Sequence, residues 1–237
     1  MKTLIRHALL TFVVVACTLT ASHASIATLF SPNDKPTKKL IEFINEAQKT
    51  IYAAQYLFTD KTIAEALIKA KARNIDIKII LDPISTDSKY GKAELLTQNN
   101  IAVFVFNPHP NKKGFEVSAN DKWFSNTPIM HNKFVIIDNT LVWTGSFNWT
   151  VSANTRNSEN VLYTNDRQAC KSYSDYFADL LATKCIPYAA HIAAQNKTPS
   201  SSLRQDVLNC LHTTNDDASL LNSLINLLEK QHISAKN

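Results

Sequence analysis

Glycine and cysteine are both scarce in this chain, and their scarcity argues against two common kinds of site. The 237 residues include only 3 glycines, Gly91, Gly114 and Gly145, and 4 cysteines. Phosphate-binding loops that use backbone N–H groups need clustered glycines, so phosphate recognition here would have to come from side chains. The cysteine spacing does not resemble that of a zinc site. We therefore expect neither a metal nor another cofactor.

Long hydrophobic runs are also absent, apart from one near the start of the chain. Residues 8–16 (ALLTFVVVA) follow Lys2 and Arg6 and precede small residues at 21–24 (ASHA). This order is typical of a secretory signal peptide, and the run is too short for a membrane-spanning helix. We predict a signal peptide at 1–24 and a periplasmic or secreted protein. A lipobox-like segment ending in Cys17 offers an alternative, in which cleavage after residue 16 leaves a lipid anchor.

Charge of either sign is modest. The net charge is +5 at pH 7, and it falls to +3 when Lys2 and Arg6 are removed with the signal peptide. A mildly basic protein is compatible with a polyanionic substrate. In an oxidising compartment one pair among Cys170, Cys185 and Cys210 could form a disulfide, and the sequence does not choose the pair.

The segment 25–187 alternates strand patterns with helix patterns. Apolar runs predict strands at 26–30, 51–58, 75–81 and 101–106, with amphipathic helices between them. Strands separated by helices of this length favour parallel crossover units. We therefore predict an α/β catalytic domain at 25–187, with a mixed, mostly parallel sheet flanked by helices, and a helical C-terminal extension at 188–237.

Two segments depart from the alternating pattern. Residues 107–128 form a long loop in which cations are interleaved with aromatic side chains, including Lys112, Lys113, Lys122 and Trp123. Such a loop could follow a nucleic-acid backbone and stack on bases, or it could be a solvated loop held down by its aromatic residues. Beyond Pro187, leucines at helical spacing predict two amphipathic helices that could cover the domain or mediate association.

Chemistry is concentrated in one strand and in the segment that returns beside it. Residues 131–138 (HNKFVIID) read as a strand, and its alternation places His131 and Lys133 on the same face. An imidazole beside an ammonium is unfavourable unless an anion binds between them. On the returning segment, Ser146 and Asn148 supply neutral donors for the same phosphate.

Two residues of this region are interpreted as structural. Asp138 has the opposite parity to His131 and lies at a turn, so we expect it to hold the hairpin or to pair with a neighbour. Gly145 allows the backbone of the returning strand to approach closely.

The compound pattern H-x-K-x4-D-x6-G-S-x-N resembles the HKD motif of the phospholipase D superfamily, at the family's usual spacing. Residues 156–160 (RNSEN) resemble the segment that supplies the family's histidine-orienting glutamate, here Glu159. The likeness extends from about residue 25 to residue 184. It points to the small single-motif branch, which includes bacterial non-specific endonucleases.

The resemblance implies a metal-independent phosphodiesterase. His131 would attack phosphorus to give a phosphohistidine, or serve as general acid from the partner copy, and Glu159 would orient its ring. Lys133, Ser146 and Asn148 would stabilise charge on the phosphate oxygens. Because His131 is the only histidine in an HKD-like setting, the second imidazole is expected from another copy in a homodimer with its site at the two-fold axis.

The remaining histidines are weaker candidates. His109 is an alternative acid, but a loop histidine between two prolines is more often exposed to solvent. His191, His212 and His232 belong to the C-terminal extension, and we expect them at the surface.

Three functions follow from these observations. The first is a non-specific endonuclease acting on DNA or RNA. The second is a phospholipase D that hydrolyses phospholipid headgroups with the same chemistry, which would need an acyl-binding surface. The third, a non-catalytic protein that binds nucleic acid or the cell envelope, is disfavoured because the full set of motif residues is present.

Overall fold

The computed structural model describes residues 24–109 and 128–197. Eight strands form one sheet: β1 (Ile26–Ser31), β2 (Thr50–Gln55), β3 (Asp76–Leu81), β4 (Ala102–Phe106), β5 (Lys133–Ile137), β6 (Leu141–Gly145), β7 (Glu159–Thr164) and β8 (Cys185–Pro187). The helices are α1 (Pro36–Glu46), α2 (Lys61–Ala72), α3 (Pro83–Thr86), α4 (Ala93–Gln98), α5 (Val151–Thr155), α6 (Arg167–Lys184) and α7 (Tyr188–Lys197).

The strand order is β1-β7-β6-β5-β2-β3-β4-β8. The predicted class, an α/β domain with a mixed sheet flanked by helices, is confirmed. The sheet is less parallel than expected, because parallel pairing is confined to β2–β3 and β3–β4 and the other five neighbouring pairs are antiparallel. Crossovers through α2 and α4 produce the parallel pairs. A tight turn at residues 138–140 makes β5 and β6 an antiparallel hairpin, and β1 pairs with β7 at the far edge instead of with β2.

Each predicted crossover helix starts at a residue suited to that position. Asp60 caps α2, because its Oδ1 accepts hydrogen bonds from the backbone N–H groups of Thr62 (2.8 Å) and Ile63 (3.3 Å). The predicted buried stripe of α2 is confirmed, with Ile63, Ala66, Leu67 and Ala70 all buried. In α1, Pro36 occupies the first turn, where its missing N–H removes no helical bond.

Two apolar layers enclose the sheet. Helices α1 and α2 cover one face, where Leu40, Ile44 and Leu67 pack with residues of the central strands. Helix α6 covers the other face through Phe177 and Leu180. Burial on both faces explains why β3 and β5 read as nearly continuous apolar runs.

Helix α7 lies against β4 and β8, and this position corrects one expectation. His191 was expected at the surface, but it is 6% exposed, and its Nε2 lies 2.9 Å from Asp87 Oδ1. Because β8 pairs with β4 immediately before α7, the first helix after Pro187 is held against the sheet.

Of the cysteines considered for a disulfide, Cys170 and Cys185 are both unbridged in the described structure. Burial raises the pKa of the Cys185 thiol to about 12. Within residues 24–109 and 128–197, no helix combines the length and apolar character needed to cross a bilayer.

Several expectations concern residues outside the described ranges. These are the signal peptide, the Cys17 lipobox, the loop residues Lys112, Lys113, Lys122 and Trp123, Cys210, His212, His232, and the two leucine-rich helices of the tail.

Candidate active site

The site residues lie at one edge of the sheet. This is the edge formed by strand ends: the carboxyl ends of β1, β2, β3 and β6 lie beside the amino ends of β5 and β7. Lys133 is the first residue of β5, and His131 precedes it by two positions. Glu159 is the first residue of β7, and Ser146 follows the end of β6. The topology therefore brings together residues that are up to 28 positions apart in the chain.

His131 and Lys133 meet on the ring of Tyr56, just after β2. The rings of Tyr56 and His131 have centroids 4.4 Å apart and are tilted by 59°. The Lys133 ammonium lies 4.8 Å from the centroid of the same tyrosine ring and donates a 2.6 Å hydrogen bond to the His131 carbonyl oxygen. His131 is exposed, whereas Lys133 is 7% exposed. An aromatic face attracts cations, which favours the position of the Lys133 ammonium, and the same tyrosine packs against the His131 ring.

The pKa values of both groups are lowered, and burial is the largest cause in each case. Burial lowers the pKa of His131, and the charge of Lys133 lowers it further, while Asp82 acts in the opposite sense. Burial lowers the pKa of Lys133 to about 8, although the charges of Glu159 and Asp82 oppose this shift. An imidazole with a lowered pKa is neutral over a wider pH range and retains its nucleophilic lone pair.

Ser146 and Glu159 form a hydrogen-bonded pair across β6 and β7. The Ser146 hydroxyl donates to Glu159 Oε2 at 2.5 Å, and its oxygen accepts from the backbone N–H of Asn160 at 3.0 Å. The other carboxylate oxygen, Oε1, accepts from the side chain of Asn157 at 3.0 Å. Each oxygen of the carboxylate thus has a donor, and its charge acts on Lys133.

Glycine is required at position 145 for a steric reason. Gly145 has φ +149°, and a Cβ atom there would collide with the carbonyl oxygen of Asn160. The neighbouring backbone N–H of Ser146 donates to that same carbonyl at 3.0 Å. The close approach of β6 and β7 sets the position of the Ser146 hydroxyl.

Asn148 lies beyond Ser146 on the same segment. Its side-chain oxygen is buried and has no hydrogen-bond partner in the structure. Trp149, which follows it, is fully buried, and its carbonyl accepts the backbone N–H groups of Thr59 and Asp60, both at 2.9 Å. These bonds tie the segment that carries Asn148 to the start of α2.

Asp138 lies at the opposite end of β5. Its Oδ1 accepts from the backbone N–H groups of Lys49 (2.7 Å) and Thr50 (2.8 Å), and its Oδ2 accepts from Gln48 (2.8 Å). With φ +53°, Asp138 starts the turn into β6. It therefore joins the hairpin to the start of β2.

One expected contact is not formed. The oxygens of Glu159 accept hydrogen bonds from Ser146 and Asn157, and in the described part of the chain no hydrogen bond joins Glu159 to His131.

His109, the alternative acid, is exposed. Residues 24–109 and 128–197 contain no group of three or more His, Cys, Asp or Glu side chains arranged to hold a metal ion.

Two residues that the sequence analysis did not assign have clear positions here. Tyr56 supports His131 and Lys133. Asp82, fully buried after β3, caps α3 through Ile84 N–H (3.0 Å) and accepts the backbone N–H of Met130 (3.0 Å). Asp82 thereby fixes the backbone immediately before His131. Both residues could have been recognised from the sequence, because Tyr56 and Asp82 directly follow two adjacent parallel strands, and ligands commonly bind at the carboxyl ends of such strands.

Comparison with known proteins agrees with this arrangement. Residues 40–181 match the family described as "Cardiolipin synthase, PLD-like domain". A phospholipase D from Rickettsia prowazekii (strain Madrid E) is 36% identical over 152 residues, which cover 64% of this chain and 65% of that protein. The chain therefore spans slightly less than two thirds of the length of this relative.

Solved structures show the same fold. Nuc, a phospholipase D family member from Salmonella typhimurium, is 28% identical with a TM-score of 0.58, and the match covers 70% of this chain and 99% of Nuc. NucT from Helicobacter pylori is 26% identical with a TM-score of 0.60, covering 70% of this chain and 100% of NucT. The family match covers more than half of the chain and contains the whole constellation from Tyr56 to Glu159. This chain belongs to the phospholipase D superfamily.

Proposed function

We propose that this chain hydrolyses phosphodiester bonds at the sheet edge that carries His131. The observation that carries the proposal is the convergence of His131 and Lys133 on Tyr56, next to Glu159, with the pKa of both cationic groups lowered. A phosphate bound between the two groups would relieve their mutual repulsion. The site would thus favour an anion with the charge and size of a phosphodiester.

In the proposed reaction the neutral His131 ring attacks phosphorus, a P–N bond forms, and the P–O bond to the leaving group breaks. A second, protonated imidazole gives its proton to the leaving oxygen. That imidazole then takes a proton from water, the water oxygen attacks phosphorus, and the P–N bond breaks to release a phosphate monoester. Lys133, Ser146 and Asn148 stabilise the non-bridging oxygens. One copy of the chain thus supplies the nucleophile and the donors to the phosphate, but not the second imidazole.

The second imidazole is proposed to come from another copy of the chain. In the described residues the other histidines are His109, which is exposed, and His191, which is buried beside Asp87. Two His131 rings facing each other would repel when both are protonated, so their titrations would split into an acid and a nucleophile. Glu159 would be free to orient either ring after its Ser146 bond rearranges.

Subunit mixing tests the shared site. If each site needs two His131 rings, subunit exchange between wild type and His131→Ala at constant total protein should give an activity proportional to the square of the wild-type fraction. An activity that falls linearly with that fraction, together with a monomer in sedimentation, would refute the dimer.

For the substrate, we propose DNA or RNA, cut with little sequence preference. The match to Nuc and NucT over their whole length and the mildly basic charge support this assignment. Binding should weaken steeply with salt, because each phosphate contact releases counterions. We also propose that the loop at 107–128 contacts the nucleic acid through Lys112, Lys113, Lys122 and Trp123.

A phospholipase D activity is the second candidate, and two observations favour it. The Rickettsia relative carries that name at 36% identity. Apolar side chains are also exposed near the site: Ile129, two residues before His131, is 42% exposed, and Tyr176, bonded to Asn132, is 46% exposed. Such side chains would suit a lipid surface.

Parallel assays on plasmid DNA and phosphatidylcholine vesicles, both in excess chelator, separate the candidates. We expect nicking by wild type and none by His131→Ala. Choline release without nicking would favour the phospholipase. Loss of both activities in chelator would refute the metal-independent mechanism.

Export of the protein is also proposed. An intact mass equal to that of a chain beginning at residue 25 would support cleavage of a signal peptide, whereas the mass of a chain beginning with a lipidated Cys17 would show a lipid anchor.

A further inference from the structure

Gln55, which directly precedes Tyr56, is a buried polar residue beside the candidate site. It ends β2, and its side chain is 0% exposed, yet neither its amide nitrogen nor its amide oxygen has a hydrogen-bond partner. In the sheet it lies directly opposite Lys133 of β5. Opposite residues of an antiparallel pair point to the same face, with Cβ atoms about 4.5–5.5 Å apart. The amide therefore lies within reach of the Lys133 ammonium through a change of rotamer.

The burial of this amide carries an energetic cost. Leaving a buried polar group unpaired costs about 1–3 kcal/mol, and a methionine would fill a similar volume with no unpaired group. The neighbouring residues on the same face, Ile51 and Ala53, are apolar and fully buried. Gln55 therefore weakens the core of the ligand-free fold, unless it gains a partner in another state.

Lys133 is the candidate partner, because it lies directly opposite Gln55 in the sheet. In the described residues its ammonium makes one hydrogen bond, to the His131 carbonyl oxygen at 2.6 Å. That bond uses one of the three ammonium protons, and its acceptor is a main-chain oxygen. A phosphate between the two side chains would compete with this carbonyl for the ammonium.

We propose that Gln55 is a positioning residue for Lys133, whose amide oxygen accepts the ammonium when a phosphodiester binds. The remaining ammonium protons are then presented to the phosphate. This state leaves fewer buried polar atoms unpaired than the ligand-free one. The inference rests on the proposed phosphodiesterase activity and adds a residue that holds its phosphate-binding cation.

The test compares Gln55→Met with Thr50→Val, a control on the same strand. Thr50 also has a buried, unpaired side-chain oxygen, but it lies five residues away, about 16 Å along β2. Both variants should raise Tm, because each removes an unpaired polar group. On bis(p-nitrophenyl) phosphate, Gln55→Met should lower kcat about 10-fold to 100-fold, and Thr50→Val should leave kcat unchanged.

The pH profile separates positioning from a structural role. Loss of the acceptor in Gln55→Met should move the alkaline limb of kcat to lower pH, because the charged form of Lys133 loses stabilisation. Gln55→Glu places a carboxylate beside the ammonium and should move that limb to higher pH. A purely structural role would not produce opposite shifts.

Binding of inorganic phosphate, measured by calorimetry, provides a readout without turnover. Gln55→Met should weaken binding, and Thr50→Val should not. If wild type hydrolyses no phosphodiester, the proposed function fails, but this comparison still decides the role of Gln55. Wild-type phosphate affinity in Gln55→Met would overturn the inference.

Discussion

Replacing Lys133 by methionine should change the pH dependence of stability by a calculable amount. Burial lowers the pKa of Lys133 from an ordinary value of 10.5 to about 8. The difference of about 2.5 pKa units corresponds to about 3 kcal/mol. Below pH 8 both the folded and unfolded states hold the proton, and the folded state bears the full cost of the buried ammonium.

The sign follows from proton binding. Between pH 8 and 10.5 the unfolded chain binds more protons at this position, so the free energy of unfolding rises with pH. Relative to Lys133→Met, the wild-type protein should gain about 3 kcal/mol between pH 7 and pH 11, with a steepest slope of about 1.4 kcal/mol per pH unit. Urea unfolding at a series of pH values, with linear extrapolation, measures this difference.

Lys78→Met provides a control of opposite sign. Burial lowers the pKa of Lys78, but hydrogen bonds to Asp76 and Tyr52 and their charges outweigh this effect, so the pKa is raised. Wild type should therefore show no gain over this variant between pH 8 and 10.5, and it should lose stability relative to it at higher pH. A difference between wild type and Lys133→Met that stays constant from pH 7 to 11 would refute the reasoning.

Three further predictions concern neighbouring residues. Under the proposed function, kcat/KM of the wild-type protein should fall above a pH of about 8 as Lys133 loses its proton, and a profile that is flat to pH 10 would contradict this role. Gly145→Ala should lower the free energy of unfolding by about 1–3 kcal/mol, since φ +149° and the Asn160 carbonyl oppose a Cβ; a urea midpoint equal to wild type would be inconsistent with it. Asp138→Asn should cost about 1.5–3 kcal/mol, because one amide oxygen cannot replace both carboxylate oxygens. Its kcat/KM per folded molecule should stay at the wild-type value, and a specific loss of activity would count against a structural role.

Much of the fold was predictable because local patterns decide it. The strands β1 to β4 and the buried stripe of α2 follow from apolar periodicity, and Asp60 is a typical helix cap. The proportion of parallel pairs was not predictable, because strand order depends on which edges meet after the chain has turned. His191 shows the same limit: its burial depends on α7 packing against β4 and β8.

The candidate site divides in a similar way. Spacing and alternation alone grouped His131 with Lys133, at the start of β5, and Ser146 with Asn148, after the end of β6, since β5 and β6 form one hairpin. The sequence did not indicate that Glu159 bonds Ser146, because that contact depends on how β7 approaches β6.

The amino-acid sequence by itself determined the chemistry that this protein has available: an imidazole, an ammonium and neutral donors at the spacing of one hairpin. The tertiary structure decided their environment. It buried Lys133 and set it opposite Gln55, and it placed Tyr56 against both His131 and Lys133. Burial and strand pairing set the pKa values and leave the Gln55 amide unpaired. Both depend on contacts between residues that are distant in sequence, so the sequence alone does not reveal them.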